Sequence, residues 1–319
     1  MKVLVCGWFS FTGMNVTAGD VLARDVACRW LRDARVAFDV ANAPACNAGV
    51  DWRTVDPANY EQVLFVCGPF RDNAITAEFL DRFRGRCRLV GLDLSMLQSV
   101  SQWNPFDVLF ERDSDRARRP DLVFAAAQPQ VPVVGLLLVH PQPQYGKRAM
   151  HEAANAALRR LIDARSMSVV RIDTCLEHNK AGLRTPAEVE SLIARMDLVL
   201  TTRLHGLVFA LKNNVPALAV DPIAGGAKIV QQCRSVDWPV VFGADMLSDA
   251  KLADEKLAEA FDYCLTAAAR AKATECRLGA LDALDALREE FTEAITLAAA
   301  ATAPPAVSGT SAHRGVSRP

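Results

Sequence analysis

Arg203 and His205 stand two residues apart in the run Met196–Leu211, MDLVLTTRLHGLVFAL. Asp197 to Leu200 has the apolar character of a strand buried in a parallel sheet. Gly206 to Leu211 has that of a buried helix start. Open α/β sheets place ligands at the carboxyl ends of their strands. A helix N-terminus adds free backbone N–H groups and the positive end of a dipole. A guanidinium offers a planar fork of donors to phosphate or carboxylate. An imidazole moves protons near neutral pH. The segment therefore predicts an anion pocket with a proton-transfer group, against the plainer alternatives of a loop arginine and a capping or packing histidine.

Further candidates follow the same logic. Lys228 comes after Asp221-Pro222-Ile223-Ala224-Gly225-Gly226-Ala227. Gly225 and Gly226 would let backbone approach an anion ahead of a helix. The alternative is a flexible loop with a solvated lysine. Arg112 ends a strand, as an anion contact or as an ion-pair partner of Asp113 or Asp115. Asn15, Gly19 and Asp20 shape the first loop, where Asp20 is either functional or a helix cap. His140 ends the first strand of the second half, and His178 lies in a polar loop. Nine cysteines show no C-x-x-C and no Cys/His cluster at zinc spacing, so no metal site is expected.

Short apolar runs alternate with longer helical patterns, which predicts an α/β chain with doubly wound parallel sheets. Strands are expected at Lys2–Cys6, Val36–Val40, Val63–Val66, Arg88–Leu92 and Asp107–Phe110. The second half has them at Val133–Val139, Val169–Ile172, Leu198–Thr201, Ala217–Val220 and Val240–Val241. Helices are expected at Ala18–Arg32, Ala74–Arg84, Ser114–Arg118, Lys147–Ala164, Pro186–Ala194, Gly206–Asn213 and Lys228–Cys233. Two long ones cover Leu252–Ala273 and Leu278–Ala300. A chain of 319 residues exceeds one hydrophobic core. Polar, proline-bearing Gln128–Pro132 marks the boundary, giving domains 1–130 and 131–277. From Ala301 to Pro319 composition turns to Ala, Pro, Ser, Gly and Thr, which predicts a disordered tail with an inert His313.

Net charge is −1, which argues against a general nucleic-acid binder. Unpatterned cysteines point to a reducing, cytoplasmic setting. The N-terminus reads as a strand, without a secretory signal. The apolar run near Val133–Val139 is too interrupted to span a membrane.

The run from Met196 to Lys228 resembles the signature of the polysaccharide pyruvyl transferase family. That pattern is an acidic residue, a buried strand, Arg-x-His-Gly, a helix, Val-Pro-x-x-x-Val, then a lysine, here Lys228 in GGAKIV. Met1 to Trp30 resembles its opening strand and loop, through Asn15, Gly19 and Asp20. Val108 to Phe124 resembles its Arg-Asp and Pro-Asp pairs, through Arg112, Asp113, Pro120 and Asp121. The resemblance implies two Rossmann-like domains in a glycosyltransferase-B-like arrangement, with the helix at 278–300 packing back across domains. It implies phosphoenolpyruvate as donor substrate, no cofactor, and a glycan or other sugar-containing diol as acceptor. It leaves room for peripheral contact with a lipid-linked acceptor. Under it Arg203 and Lys228 hold the donor, with Gly225, Gly226, Arg112, Asn15 and His140 as further substrate contacts. His205 is the acid or a phosphate ligand, and Asp20 an acceptor contact or base. The first loop, GWFSFTGMN, is bulkier than the family's. Two other readings remain open. One is a glycosyltransferase using a nucleotide sugar, with Glu188 and Glu190 as the available acids. The other is a non-catalytic anion- or sugar-binding protein.

Overall fold

The computed structural model describes residues 1–43, 49–177 and 179–302, with side chains to 296. The chain divides into Met1–Pro129 and Gln130–Pro319. Ala301 and Thr302, the first residues of the expected tail, end the last helix; the rest of that tail with His313, and His178, lie outside the described residues.

Unit 1 runs β1 (Lys2–Gly7), α1 (Ala18–Asp33), β2 (Ala37–Val40), β3 (Gln62–Phe70), α2 (Ala74–Phe83), β4 (Arg88–Met96) and β5 (Val108–Asp113). All pairings are parallel, in the order β2-β1-β3-β4-β5. Successive strand residues point to opposite faces. Val3, Val5, Leu64 and Val66 therefore pack with Val26 of α1, while Leu4, Cys6, Val63 and Phe65 pack with Phe79 of α2. Burial on both faces is why these strands read as continuous apolar runs.

No helix forms at Ser114–Arg118. The chain folds back on β5 instead, with an antiparallel bridge between Asp113 and Arg118. Glu111 is fully buried there, and Arg116 and Arg119 turn towards it, at 2.8 and 3.2 Å. The need to pair a buried carboxylate overrides helical propensity.

Unit 2 runs β6 (Val133–Leu137), α3 (His151–Ala164), β7 (Ser168–Arg171), α4 (Pro186–Ile193), β8 (Leu198–Thr201), α5 (Leu204–Lys212), β9 (Ala217–Asp221), α6 (Lys228–Ser235), β10 (Val241–Gly243), α7 (Ala250–Cys264) and α8 (Ala267–Thr302). Its parallel order is β10-β9-β8-β6-β7. Counted from its own first strand, this repeats the unit 1 succession. The switch point falls between β6 and β8.

α5 starts two residues earlier than expected, at Leu204, and the larger differences in helix bounds fall at two places. α3 starts at His151, not Lys147, because Ala149 bridges Ile223 and Met150 N–H donates to Pro222 O at 2.8 Å. The last two helices separate at Leu265–Thr266, where Thr266 Oγ1 donates to Tyr263 O and accepts from Ala269 N. α8 buries Ala269, Ala273 and Cys276, while Leu278, Leu281, Leu284 and Leu287 are about half exposed. No described helix is long and apolar enough to cross a membrane.

Candidate functional site

Three of the sequence candidates line one cavity of about 360 Å³ in unit 2: Arg203, His205 and Lys228. Val139, Thr202 and Asp221 place it at the carboxyl ends of β6, β8 and β9, beside the switch point. Doubly wound sheets bind ligands there.

The local sequence accounts for the geometry. Thr201 Oγ1 donates to Leu137 O at 3.0 Å and accepts from Arg203 N at 2.9 Å. Thr202 Oγ1 accepts from Val139 N at 2.9 Å and donates to Asn155 Oδ1 at 2.8 Å. The two hydroxyls tie the end of β8 to β6. A Cβ at Gly206 would lie 2.3 Å from Thr201 Oγ1, so only glycine lets α5 start this close to its strand. Arg203 is the N-cap residue of α5, and no side chain caps that helix. His205, exposed in the first turn, touches the Phe209 ring and has no hydrogen-bond partner among the described residues.

Behind Arg203 stands Asp173, a residue the sequence did not single out. Its Oδ1 accepts from the Arg203 guanidinium and from Cys175 N, and its Oδ2 lies 2.9 Å from His140 Nε2. Burial raises the Asp173 pKa. The Cys175 N–H, His140 and Arg203 more than offset this and hold it below the usual carboxylate range. His140 itself is exposed and reaches the cavity only through Asp173.

Asp221 is the second residue missed. It is 1 % exposed. Its Oδ2 accepts from Ala227, Ile229 and Val230 N–H at 2.7, 3.1 and 3.1 Å, and Oδ1 accepts from Ile223 N at 3.2 Å. The carboxylate therefore fills the α6 N-terminus that an anion would otherwise seek. Lys228, first residue of α6, stays exposed, with no ion-pair partner among the described residues. Gly225 and Gly226 do not line the cavity, and their N–H groups are taken. Gly225 N donates to Asp245 Oδ2 at 2.8 Å and Gly226 N to Ile223 O at 2.9 Å. In this conformation they shape the loop and offer no donor to an anion. Asp173 and Asp221 are satisfied within the protein. The groups left for a ligand include the rest of the Arg203 fork, the His205 imidazole, the Lys228 ammonium and the uncapped start of α5.

The remaining candidates belong to unit 1. Asp20 is the third helical residue of α1 and half of a capping box: Thr17 N donates to its Oδ2 at 2.8 Å, and Asp20 N donates to Thr17 Oγ1 at 3.3 Å. Its Oδ1 accepts from Cys67 Sγ at 3.2 Å. Both oxygens are engaged, and the capping alternative is realised. Arg112 pairs with Asp113 at 3.0 Å and Asp121 at 2.6 Å, not with Asp115. Asn15 is exposed on the rim of an open depression beside Thr17. The crevice between β1 and β3 is filled by Trp8, whose Nε1 donates to Pro69 O at 3.0 Å. A Cβ at Gly68, where φ is +87°, would lie 2.4 Å from the indole. Among the described residues no group of three or more His, Cys, Asp or Glu could hold a metal ion.

The fold and site define a protein of two α/β units, with a cation-lined cavity in the second. Residues 118–222 match the family model described as Polysaccharide pyruvyl transferase, a transferase family. The match covers β6 to β9 with Arg203 and His205, and ends just before Lys228. No curated protein matches the chain. Among solved structures, a spinosyn rhamnosyltransferase complexed with thymidine diphosphate aligns at 12 % identity and a TM-score of 0.33, covering 88 % of this chain and 96 % of that one. A Methanocaldococcus jannaschii UDP-GlcNAc 2-epimerase in complex with UDP-GlcNAc and UDP aligns at 11 % and 0.30, covering 83 % and 93 %.

Proposed function

We propose that this chain transfers a pyruvyl group from phosphoenolpyruvate to a sugar diol, forming a ketal. The observation that carries the reading is the convergence of Arg203, His205 and Lys228 on one cavity, within and beside the segment that matches the family. Arg203 and Lys228 hold the phosphate and carboxylate of the donor. His205 delivers a proton to C3 of the enol, which leaves an oxocarbenium-like centre at C2. One sugar hydroxyl adds to C2 and the C–O bond to phosphate breaks. The second hydroxyl then closes the ketal. Of the two hydroxyl protons, one balances the proton placed on C3 and the other leaves with phosphate.

A nucleotide-sugar transferase would need a carboxylate for a ribose near this cavity. Asp173 and Asp221 are both engaged. Glu188 and Glu190, the acids the sequence offers, do not line the cavity and pair with Arg184 and Lys212. The test is release of inorganic phosphate from phosphoenolpyruvate across a panel of sugar diols, together with calorimetric binding of the donor. Diol-dependent release is expected. Absence of both release and donor binding would remove the proposal.

A further inference from the structure

Asp93 lies in the middle of β4 and is 5 % exposed. Its backbone is left-handed, at φ +62°, where the pairing of β4 with β5 shifts register between Leu92 and Leu94. Non-glycine residues in this conformation carry a conformational cost and cluster at sites where function compensates for it. Bulges likewise re-aim a side chain. Asp93 Oδ1 accepts from Leu122 N at 3.2 Å. Oδ2 is buried and has no hydrogen-bond partner among the described residues.

A cavity of about 420 Å³ adjoins this carboxylate, on the face of the sheet that carries α1. Its walls include Trp30, Leu64, Leu92, Phe110 and Leu122; two acids line it, Asp93 and Glu111, and Glu111 is paired with Arg116 and Arg119. Trp30 and Phe110 are about half exposed, unusual for rings of their size. Arg112 and Arg119 also border the cavity but are taken, Arg112 by Asp113 and Asp121, Arg119 by Glu111. Among the described residues the cation acting on Asp93 is Arg112, and its guanidinium is already shared by Asp113 and Asp121. Burial, and then the charge of Asp121, push the carboxyl up to about 6, so it is still ionised at neutral pH. Buried charges are as a rule paired. An ammonium group returns the lost interaction, and the faces of the two rings attract the same cation.

We propose that this cavity is a binding site for an alkyl- or arylammonium group, whose N–H donates to Asp93 Oδ2 while its apolar body rests on Trp30 and Phe110. The site lies within unit 1 and does not depend on the pyruvyl transfer reading. A neutral hydroxyl could donate to the same oxygen, but it brings no charge to a carboxylate whose nearby cation, Arg112, is shared with Asp113 and Asp121.

The test is calorimetric titration of the full chain at neutral pH with 2-phenylethylammonium chloride and with 2-phenylethanol, its neutral analogue of equal size. The wild type should bind the ammonium saturably at one site, at least tenfold more tightly than the alcohol. Asp93→Asn keeps the shape and tolerates the left-handed backbone, and it should bind the ammonium at least tenfold more weakly. Equal binding of ammonium and alcohol would reduce the cavity to an apolar depression and overturn the proposal. So would ammonium binding that Asp93→Asn leaves intact, or no binding at all. The comparison of the two ligands needs no variant, so a folding defect in Asp93→Asn does not protect the idea.

Discussion

The carboxylate of Asp173 holds the guanidinium of Arg203, thirty residues further along the chain, and on its other oxygen meets His140 Nε2 at 2.9 Å. Arg203 is therefore oriented from behind, and it lines the cavity. Removing the carboxylate should let the fork swing. Asp173→Ala is expected to weaken phosphoenolpyruvate binding about tenfold, the loss of roughly 1.5 kcal/mol typical of a hydrogen bond to a charged group. Asp173→Asn keeps an acceptor and should lose less. Calorimetry on both variants checks this, and an alanine variant with wild-type affinity would contradict it.

Asp221 and Lys228 separate stability from binding. Asp221→Ala strips the acceptor from four backbone N–H groups. It should cost about 2 kcal/mol or more in urea denaturation. Lys228→Ala touches an exposed side chain, so its stability should stay within roughly 0.5 kcal/mol of wild type while donor affinity falls. Equal stability losses in the two variants would argue against the capping role of Asp221.

Two buried acids in unit 1 should give opposite pH signatures. Arg116 is the main cause holding the Glu111 carboxyl down at about 2, against an ordinary value of 4.5. Glu111 therefore contributes stability above pH 4.5, and that contribution is lost as pH falls towards 2. Asp93 is raised from 3.8 to about 6, so its folded form holds the proton more tightly. Its contribution declines as pH rises from about 4 to about 6. Burial comes first among the causes, and Asp121, the Leu122 N–H, Arg112 and Asp113 also act on it. Asp93→Asn should gain Tm relative to wild type across that interval and hold the gain above it. Melting curves between about pH 4 and 7 decide; a constant offset between the proteins would show that Asp93 does not titrate there.

His205→Gln separates proton delivery from anion binding. The amide can still hydrogen-bond a phosphate, so donor affinity should stay near wild type. Single-turnover phosphate release, with enzyme in excess, should fall by roughly 10²–10⁴. Near-normal release would exclude His205 as the acid, and weakened binding with little loss of turnover would make it a phosphate ligand.

The central strands are legible in the sequence because each is buried on both faces and bounded by polar turns. Leu198–Thr201, buried at all four positions, has the same bounds in the sequence pattern and in the fold. Arg203, His205 and Lys228 are legible because they follow such strands directly. Asp173 is not, since nothing local to Ile172-Asp173-Thr174 announces a partner thirty residues away. Asp221 is hidden by its place at a strand end, where it reads as part of the loop and not as the acceptor for α6. Glu111 misleads in the other direction. Its burial can be known only from the fold, and it draws Arg116 out of the helix expected at Ser114–Arg118 and Arg119, just beyond it, to the same carboxylate. The capping alternative holds for Asp20, but Thr17 is the N-cap residue and Asp20 its reciprocal partner.

The most direct test of the donor site is calorimetric titration of phosphoenolpyruvate into the wild type and Arg203→Ala. Losing one partner of a bound charged group costs about 2–5 kcal/mol. The wild type should bind saturably, and Arg203→Ala should bind well over tenfold more weakly with its melting temperature little changed. Equal affinity in the two proteins, or no binding by the wild type, would contradict the assignment of this cavity to the donor.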